Sequence, residues 1–568
     1  MKGGLRHSHG QFLPRCIYIK SKKESSGVFL RIHSISSCNL TQIVGMSLRN
    51  FLVGMMAFGI MACGEPAHFD VLILHGTVYD GSGSEPIQQD MGIRDSMIVA
   101  IGDLHKATAD RTIDAQGLAI TPGFIDMHAH LDPIMELNDC ESMVRQGVTT
   151  ALGGPDGSSP WPLKAYMDSL QKKGVGMNVA YLIGHNTVRR NVMGLENRAP
   201  TPAELDSMKA EIEQGMLDGA YGISTGLKYL PGTFSKVDEV IELSKVTSKY
   251  GGIYTSHLRE EGLGLLPAVR EAIQISAEAD IPVILTHHKV IGKPMWGKSI
   301  ETLALVDSAR ALGLDIKMDQ YPYTASYTGI SVLIPSWAMA GGQKVFKERV
   351  ADPVTKDSIK KEIVFNILND RGGGDLDRIQ FAKVDWQTDL EGKTLKYWCI
   401  QKGMDTTIEN GAELVIQAQL NGGASCVYHV MVEEDVKRIM QHPQTMIGSD
   451  GRLVKPGMGH PHPRWYGTFP RVLGHYVREE KTLTLTQAIH KMTQQSAETI
   501  GLSDRGTLRE GMRADVVIFD PETIIDKATF EAPHQYPVGI SFVIVNGVLA
   551  VDDGQYMDTR SGLVLRKR

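Results

Sequence analysis

The sequence predicts an α/β protein: a TIM-like (β/α)8 barrel carrying a small β-sandwich domain built from both chain ends. Three observations predict it. Through the middle of the chain, apolar runs of strand length alternate with stretches of helical spacing, the grammar of a parallel sheet closed by helices. At both flanks, short strands broken by Gly and Asp turns appear in groups, each too small to close a core alone. Several of the central runs end in His or Asp, at the position where barrels of this kind carry their functional groups.

The flanks come first in the chain. Phe69–Leu74, Thr77–Tyr79, Asp90–Arg94 and Met97–Ile101 read as strands, with Asp80-Gly81-Ser82-Gly83 as a turn between them. The pattern returns in Ala514–Phe519 and Ser541–Gly547, so residues 66–121 and 506–560 are assigned to one sandwich. Residues 122–505 then form the barrel. Its strands are expected at Phe124–His130, Val148–Gly153, Val179–Gly184, Gly222–Gly226, Ile253–His257, Val283–His287, Asp315–Gln320 and Met446–Asp450. Ala203–Leu217 and Leu265–Ala279 carry apolar residues near a 3.6-residue period and are expected as helices of the outer ring. Residues 335–430 show no clear periodicity and are read as an insertion capping the mouth of the barrel.

The remaining N-terminus reads as an address. From Met46 come one Arg, Arg49, an apolar run Phe51–Ala62, and Cys63-Gly64; this run is too short to cross a bilayer but fits a secretory signal. Ile60-Met61-Ala62-Cys63 resembles the lipobox of bacterial lipoproteins, in which the Cys is acylated. Residues 46–63 are therefore expected to be a lipoprotein-type signal peptide. Cys63 would anchor an exported protein, facing the periplasm, to the membrane of the cell envelope. Residues 1–45, basic at positions 2, 6, 15, 20, 22, 23 and 31 against the single acid Glu24, read as an extension upstream of the natural start. Of the six cysteines, those beyond Cys63 are Cys140, Cys399 and Cys426, with no pairing framework, so a packed core rather than disulfides must hold the fold.

Composition narrows the function. With 42% hydrophobic and 22% charged residues the 568-residue chain can bury an ordinary core, and a net charge of −6 gives no support to nucleic-acid binding. A small molecule is the expected partner, and the membrane is reached only through the lipid. His128 and His130 stand at i and i+2, so on an extended strand both imidazoles face the same way and can grip one metal ion.

His128-Ala-His130, Tyr254-Thr-Ser-His257-Leu-Arg-Glu-Glu, Thr286-His287-His288-Lys289, Ile447-Gly-Ser-Asp450-Gly and His462-Pro-Arg464, followed by Gly467-Thr-Phe-Pro-Arg-Val-Leu-Gly, resemble in order the motifs of the D-aminoacylase branch of the amidohydrolase superfamily. The resemblance covers roughly residues 70–554. It implies a zinc enzyme, with one or two ions, that hydrolyses an N-acyl-D-amino acid to a carboxylate and a free D-amino acid. Chemistry leads to the same reaction type: zinc held by neutral imidazoles acidifies water to a pKa of about 7 and polarises an amide carbonyl. Asp450 is the expected general base and acid, taking the proton from water and passing it to the departing nitrogen.

His257 and His287 are the expected ligands of the tighter metal, with His128 and His130 at a second position. His288 should face away and be structural. His185 stands equally for pocket lining and for structure. Where the family places a Cys at the end of the second strand, within Gly-Asn-Cys-Gly, this chain has Gly153-Gly154-Pro155-Asp156-Gly157. Asp156 can bind or bridge zinc, as a harder ligand than a thiolate. Lys228, ending the fourth strand, is either a carboxylated bridging lysine, as in other amidohydrolases, or a loop lysine. Arg464 can hold a substrate α-carboxylate through paired hydrogen bonds, and the resemblance adds Tyr229 and Lys289. Two alternatives stay open: a hydrolase of another amide, cyclic or a dipeptide, and a non-catalytic cell-envelope lipoprotein binding cell-wall fragments.

Overall fold

In the computed structural model, which describes residues 67–568, eight parallel strands form the central ring. They are β1 (Phe124–Asp126), β2 (Val148–Gly153), β3 (Asn178–Tyr181, resuming as Ile183–Gly184), β4 (Gly222–Gly226), β5 (Ile253–His257), β6 (Val283–Leu285), β7 (Ile316–Gln320) and β8 (Thr445–Ile447). Sequential neighbours pair in parallel from β1 through to β8, and the ring closes where Met127 N donates to Ile447 O. Every residue of β2, β4 and β5 is buried, because helices cover one face and the barrel core the other. This is why those strands read as unbroken runs rather than alternating ones.

The helices arise from local signals. Pro202–Leu217 starts at a capping box in which Thr201 and Glu204 satisfy each other's backbone N–H groups, with Pro at the first helical position. Leu265–Ala279 buries Leu265, Ala268, Val269, Ala272, Ile275 and Ala279, the 3.6-residue stripe that faces the barrel.

Both ends of the chain meet in the sandwich. One sheet orders Met97–Gly102, Asp90–Arg94, His68–Leu74 and Thr108–Asp114. In the other, Val516–Phe519 pairs antiparallel with Ala119–Pro122, which joins C-terminal strands to N-terminal ones in a single seven-stranded sheet. Val71, Ile73, Met91 and Ile93 of the first sheet share a core with Ile120, Val516, Ile518 and Ile544 of the second. The chain past residue 560 then returns to the barrel. Gly562 N donates to Val175 O and Leu565 N to Val179 O, each at 2.8 Å.

Two expectations are corrected. The insertion between β7 and β8 starts before residue 335, and regular elements underlie the segment in which no periodicity was clear. Ser326–Gly329 is its first strand and pairs antiparallel with Ser425–Tyr428, which also pairs with Ile379–Lys383. Helices Gln343–Ala351, Pro353–Asn366, Leu395–Gln401 and Ile408–Leu420 pack with this sheet around Phe381, Trp398 and Leu414. Its periodicity was hidden because its strands span only four or five residues and two of its helices only seven and nine. The second correction concerns strand ends. β1, β6 and β8 stop before His128, His287 and Asp450, so the convergence of these side chains comes from bent backbone and not from the alternation of a strand.

Candidate metal centre and its cavity

At the C-terminal ends of the strands, two groups of side chains converge: His128, His130, Asp156 and Asp450 in one, Asp156, His257 and His287 in the other, with the candidate ligand atoms of each group within 4.8 Å of one another. Asp156 belongs to both. Its Oδ1 lies 3.4 Å from His128 Nε2, 3.3 Å from His287 Nε2 and 3.6 Å from His257 Nδ1, while Oδ2 lies 3.4 Å from His130 Nε2. The carboxylate stands between the two groups with one oxygen toward three imidazoles and the other toward the fourth.

The backbone is shaped to bring this about. Asp156, His287 and Asp450 hold φ values of 53°, 36° and 47°, a region that side chains other than glycine rarely enter and that recurs at functional sites. The surroundings enforce it. Asp319, at the end of β7, accepts the His287 backbone N–H at 2.7 Å. Asp126 accepts the backbone N–H groups of His128 at 3.0 Å and Ser449 at 2.8 Å, which fastens the end of β1 to the turn before Asp450. Gly448 is required there, since a Cβ would come within 2.9 Å of the His128 Cβ and 2.8 Å of Asp319 Oδ1.

The donor set fits a divalent cation. Both ring nitrogens of His128 are buried without any hydrogen-bond partner, a costly condition for an imidazole unless something else binds it. The two carboxylates make the cluster a place that favours positive charge. Despite burial, which alone would lower it, the His130 imidazole is pushed up to about 10 by the carboxylates of Asp156 and Asp450. Burial disfavours the Asp450 carboxylate, but Arg464, His130 and the neighbouring imidazoles outweigh it and hold the carboxyl well below its ordinary range. Asp450 is thus held as the carboxylate, the form that a general base requires.

A cavity of about 440 Å³ opens onto the cluster. Asp450 Oδ1 sits 3.1 Å from His130 Nε2 and 3.0 Å from Arg464 Nη2, and Arg464 Nε donates to the Asp450 backbone O at 2.7 Å. Arg464 Nη1 is buried with no partner. The Tyr229 ring lies 4.5 Å from that of His257, and its hydroxyl accepts from Thr328 at 3.2 Å. Lys289 Nζ donates to Glu261 at 2.5 Å. All three side chains line the cavity.

Other candidates fall elsewhere. Lys228 donates to both Glu260 oxygens at 2.8 and 2.9 Å and does not line the cavity. His185 is fully buried against Glu239 at 2.8 Å and does not line the cavity. His288 turns away and donates through Nε2 to Thr302 Oγ1 at 2.9 Å. Sequence reasoning missed Arg371, which reaches the cavity from the insertion and donates to Ser326 Oγ at 3.2 Å, and Glu261. Nothing local marked Arg371. Glu261 stood four residues after His257, a spacing that signals proximity once His257 is placed.

The family model described as the amidohydrolase family matches residues 111–352 and 410–551. A D-aminoacylase of Alcaligenes xylosoxydans xylosoxydans is 36% identical, covering 89% of this chain and 99% of its own length. An N-acyl-D-glutamate deacylase of the same organism is 35% identical over 88% of this chain and 96% of its own. The crystal structure of N-acyl-D-glutamate deacylase from Bordetella bronchiseptica, complexed with zinc and a phosphonate mimic of the tetrahedral intermediate, superposes with a TM-score of 0.75 at 34% identity, covering 88% of this chain and all of that one. With its barrel, its small β domain and its His/Asp cluster, this chain belongs to the D-aminoacylase branch of the amidohydrolase family.

Proposed function

We propose that this protein is a zinc-dependent N-acyl-D-amino-acid deacylase, hydrolysing the amide to a carboxylate and a free D-amino acid. The observation that carries this reading is the pair of donor groups sharing Asp156 beside an ionised Asp450, at the floor of a cavity that also presents Lys289, Arg371 and Arg464. His128, His130, Asp156, His257 and His287 would hold the metal. When bound, zinc polarises the amide carbonyl and acidifies water. Asp450 takes the proton of the attacking water as the new C–O bond forms, and passes it to the nitrogen as the C–N bond breaks. Arg464, Lys289 and Tyr229 hold the α-carboxylate, so the scissile amide is presented in one orientation.

The non-catalytic reading finds no support, since the relatives are deacylases and every donor is present. The deciding experiment is a hydrolysis screen of N-acetyl-D- and N-acetyl-L-amino acids, their α-amides and cyclic amides, with zinc measured in the same preparation. D-acids alone should turn over; equal turnover of α-amides or cyclic amides would reject the proposal. We further propose export with Cys63 as the lipidated residue, supported by the apolar run ahead of it. These residues lie outside those the structure describes. Incorporation of labelled palmitate that disappears in Cys63→Ser would test it, and unchanged labelling would refute it.

A further inference from the structure

Glu261 is an ionised group 3% exposed that the proposed chemistry leaves unused. It stands behind the second donor group. His287 directs Nε2 and His257 directs Nδ1 toward Asp156, and the Glu261 carboxylate lies at the far nitrogen of each ring, 3.2 Å from His287 Nδ1 and 3.8 Å from His257 Nε2. Its oxygens also accept from Lys289 at 2.5 Å and approach Arg371 Nη2 at 3.5 Å.

An imidazole that gives the Nε2 lone pair to a metal carries its hydrogen on Nδ1. In this structure the Lys289 ammonium hydrogen-bonds the same Nδ1 at 2.6 Å while Glu261 stands 3.2 Å from it; once Nδ1 carries a hydrogen the ammonium, itself a donor, must turn wholly to Glu261, the one of the two that can accept that hydrogen. A carboxylate behind a ligating histidine fixes its tautomer and raises its basicity. The same oxygens fix where two cavity cations stand.

We propose that Glu261 is a positioning residue that couples the two halves of the site: one carboxylate orients the ligating face of His287 and, with it, anchors Lys289 and Arg371 for the substrate's anionic groups. The inference rests on the deacylase reading for its substrate half only. Metal binding and substrate binding are therefore expected to weaken together when this one carboxylate is altered.

The test uses the full chain and its variants Glu261→Gln and Glu261→Asp, each stripped and then titrated with zinc against a competing chelator. Glu261→Gln keeps the shape but loses the charge. It should weaken zinc binding by about 10–100-fold and raise KM for an N-acyl-D-amino acid at saturating zinc. Glu261→Asp keeps the charge but draws it back by one methylene, so it should fall between Glu261→Gln and the wild type in both zinc affinity and KM. If Glu261→Gln folds, melts lower and yet keeps wild-type zinc affinity and KM, the residue is merely structural and the proposal falls. Should Glu261→Gln not fold, Glu261→Asp decides alone: unchanged zinc affinity and unchanged KM overturn the coupling. Failure of the deacylase reading would show differently, as wild-type protein that binds zinc but does not cleave the substrate.

Discussion

Asp156 offers two oxygens to four imidazoles, and the consequence is that no single metal position owns it. Asn tolerates the same left-handed backbone, so Asp156→Asn removes the charge while sparing the turn. Zinc stoichiometry should fall and the remaining ion should bind at least about tenfold more weakly, with the melting temperature of the metal-free protein little changed; metal analysis beside a melting curve checks both. Asp450 and Arg464 fail differently. Asp450→Asn should lower kcat by about 10²–10⁴-fold while zinc is retained, as expected for loss of proton transfer. From sequence, Arg464→Ala should act mainly on KM. The structure changes that expectation: Arg464 also grips Asp450 through Nη2 and through the backbone carbonyl, so the variant should raise KM and lower kcat together. Steady-state kinetics on both variants separates the two outcomes.

At the scale of the element, β6 ends in a sequence of alternating commitments. His287 faces the metal cluster, His288 faces the helix Ser299–Ala311 through Thr302, and Lys289 faces the cavity. Burial, aided by Lys289, pushes the His288 imidazole down to about 3. The unfolded chain therefore takes up a proton near the ordinary value of 6.5 that the folded chain refuses. The stability tied to neutral His288 is complete above about pH 6.5 and is lost as pH falls toward 3, at up to about 1.4 kcal/mol per pH unit. Urea unfolding at pH 7 and pH 5 should show a shallower loss in His288→Gln than in the wild type, and equal losses would contradict the assignment.

At the scale of the whole molecule, the sandwich and the barrel are joined by buried polar groups as well as by apolar packing. Asp515, 4% exposed and just before Val516–Phe519, accepts from Arg505 at 2.6 Å, from Asn178 at the start of β3 at 3.0 Å, and from the Asn546 backbone at 2.8 Å. Asp515→Ala removes the buried partner of Arg505 and leaves it only the half-exposed Asp504 at 3.0 Å, at a cost of up to about 3 kcal/mol. Because the carboxylate touches both lobes, loss of zinc and loss of β-structure on heating should move to lower temperature together. Two transitions that separate in the variant would show that the lobes are held by other contacts.

Much of this was legible in the chain itself. Strand and helix placement in the barrel followed from apolar spacing, because a parallel sheet buried on both faces leaves an unbroken record, as in Val148–Gly153. The pairing of the two flanks followed from their being too small alone. His128, His130, His257, His287 and Asp450 were marked because each follows a strand-like run. What the sequence could not carry is any relation that depends on left-handed backbone or on distance across the fold. The bends at His287 and Asp450, which help aim the side chains at one point, are held by Asp319 and Asp126, far away in sequence. Arg371 reaches the cavity only because the insertion folds its own sheet against the mouth, and Glu261 acquires its partners only when β5 and β6 lie side by side. Local periodicity decides which elements form, whereas contacts between distant segments decide which charges share a site.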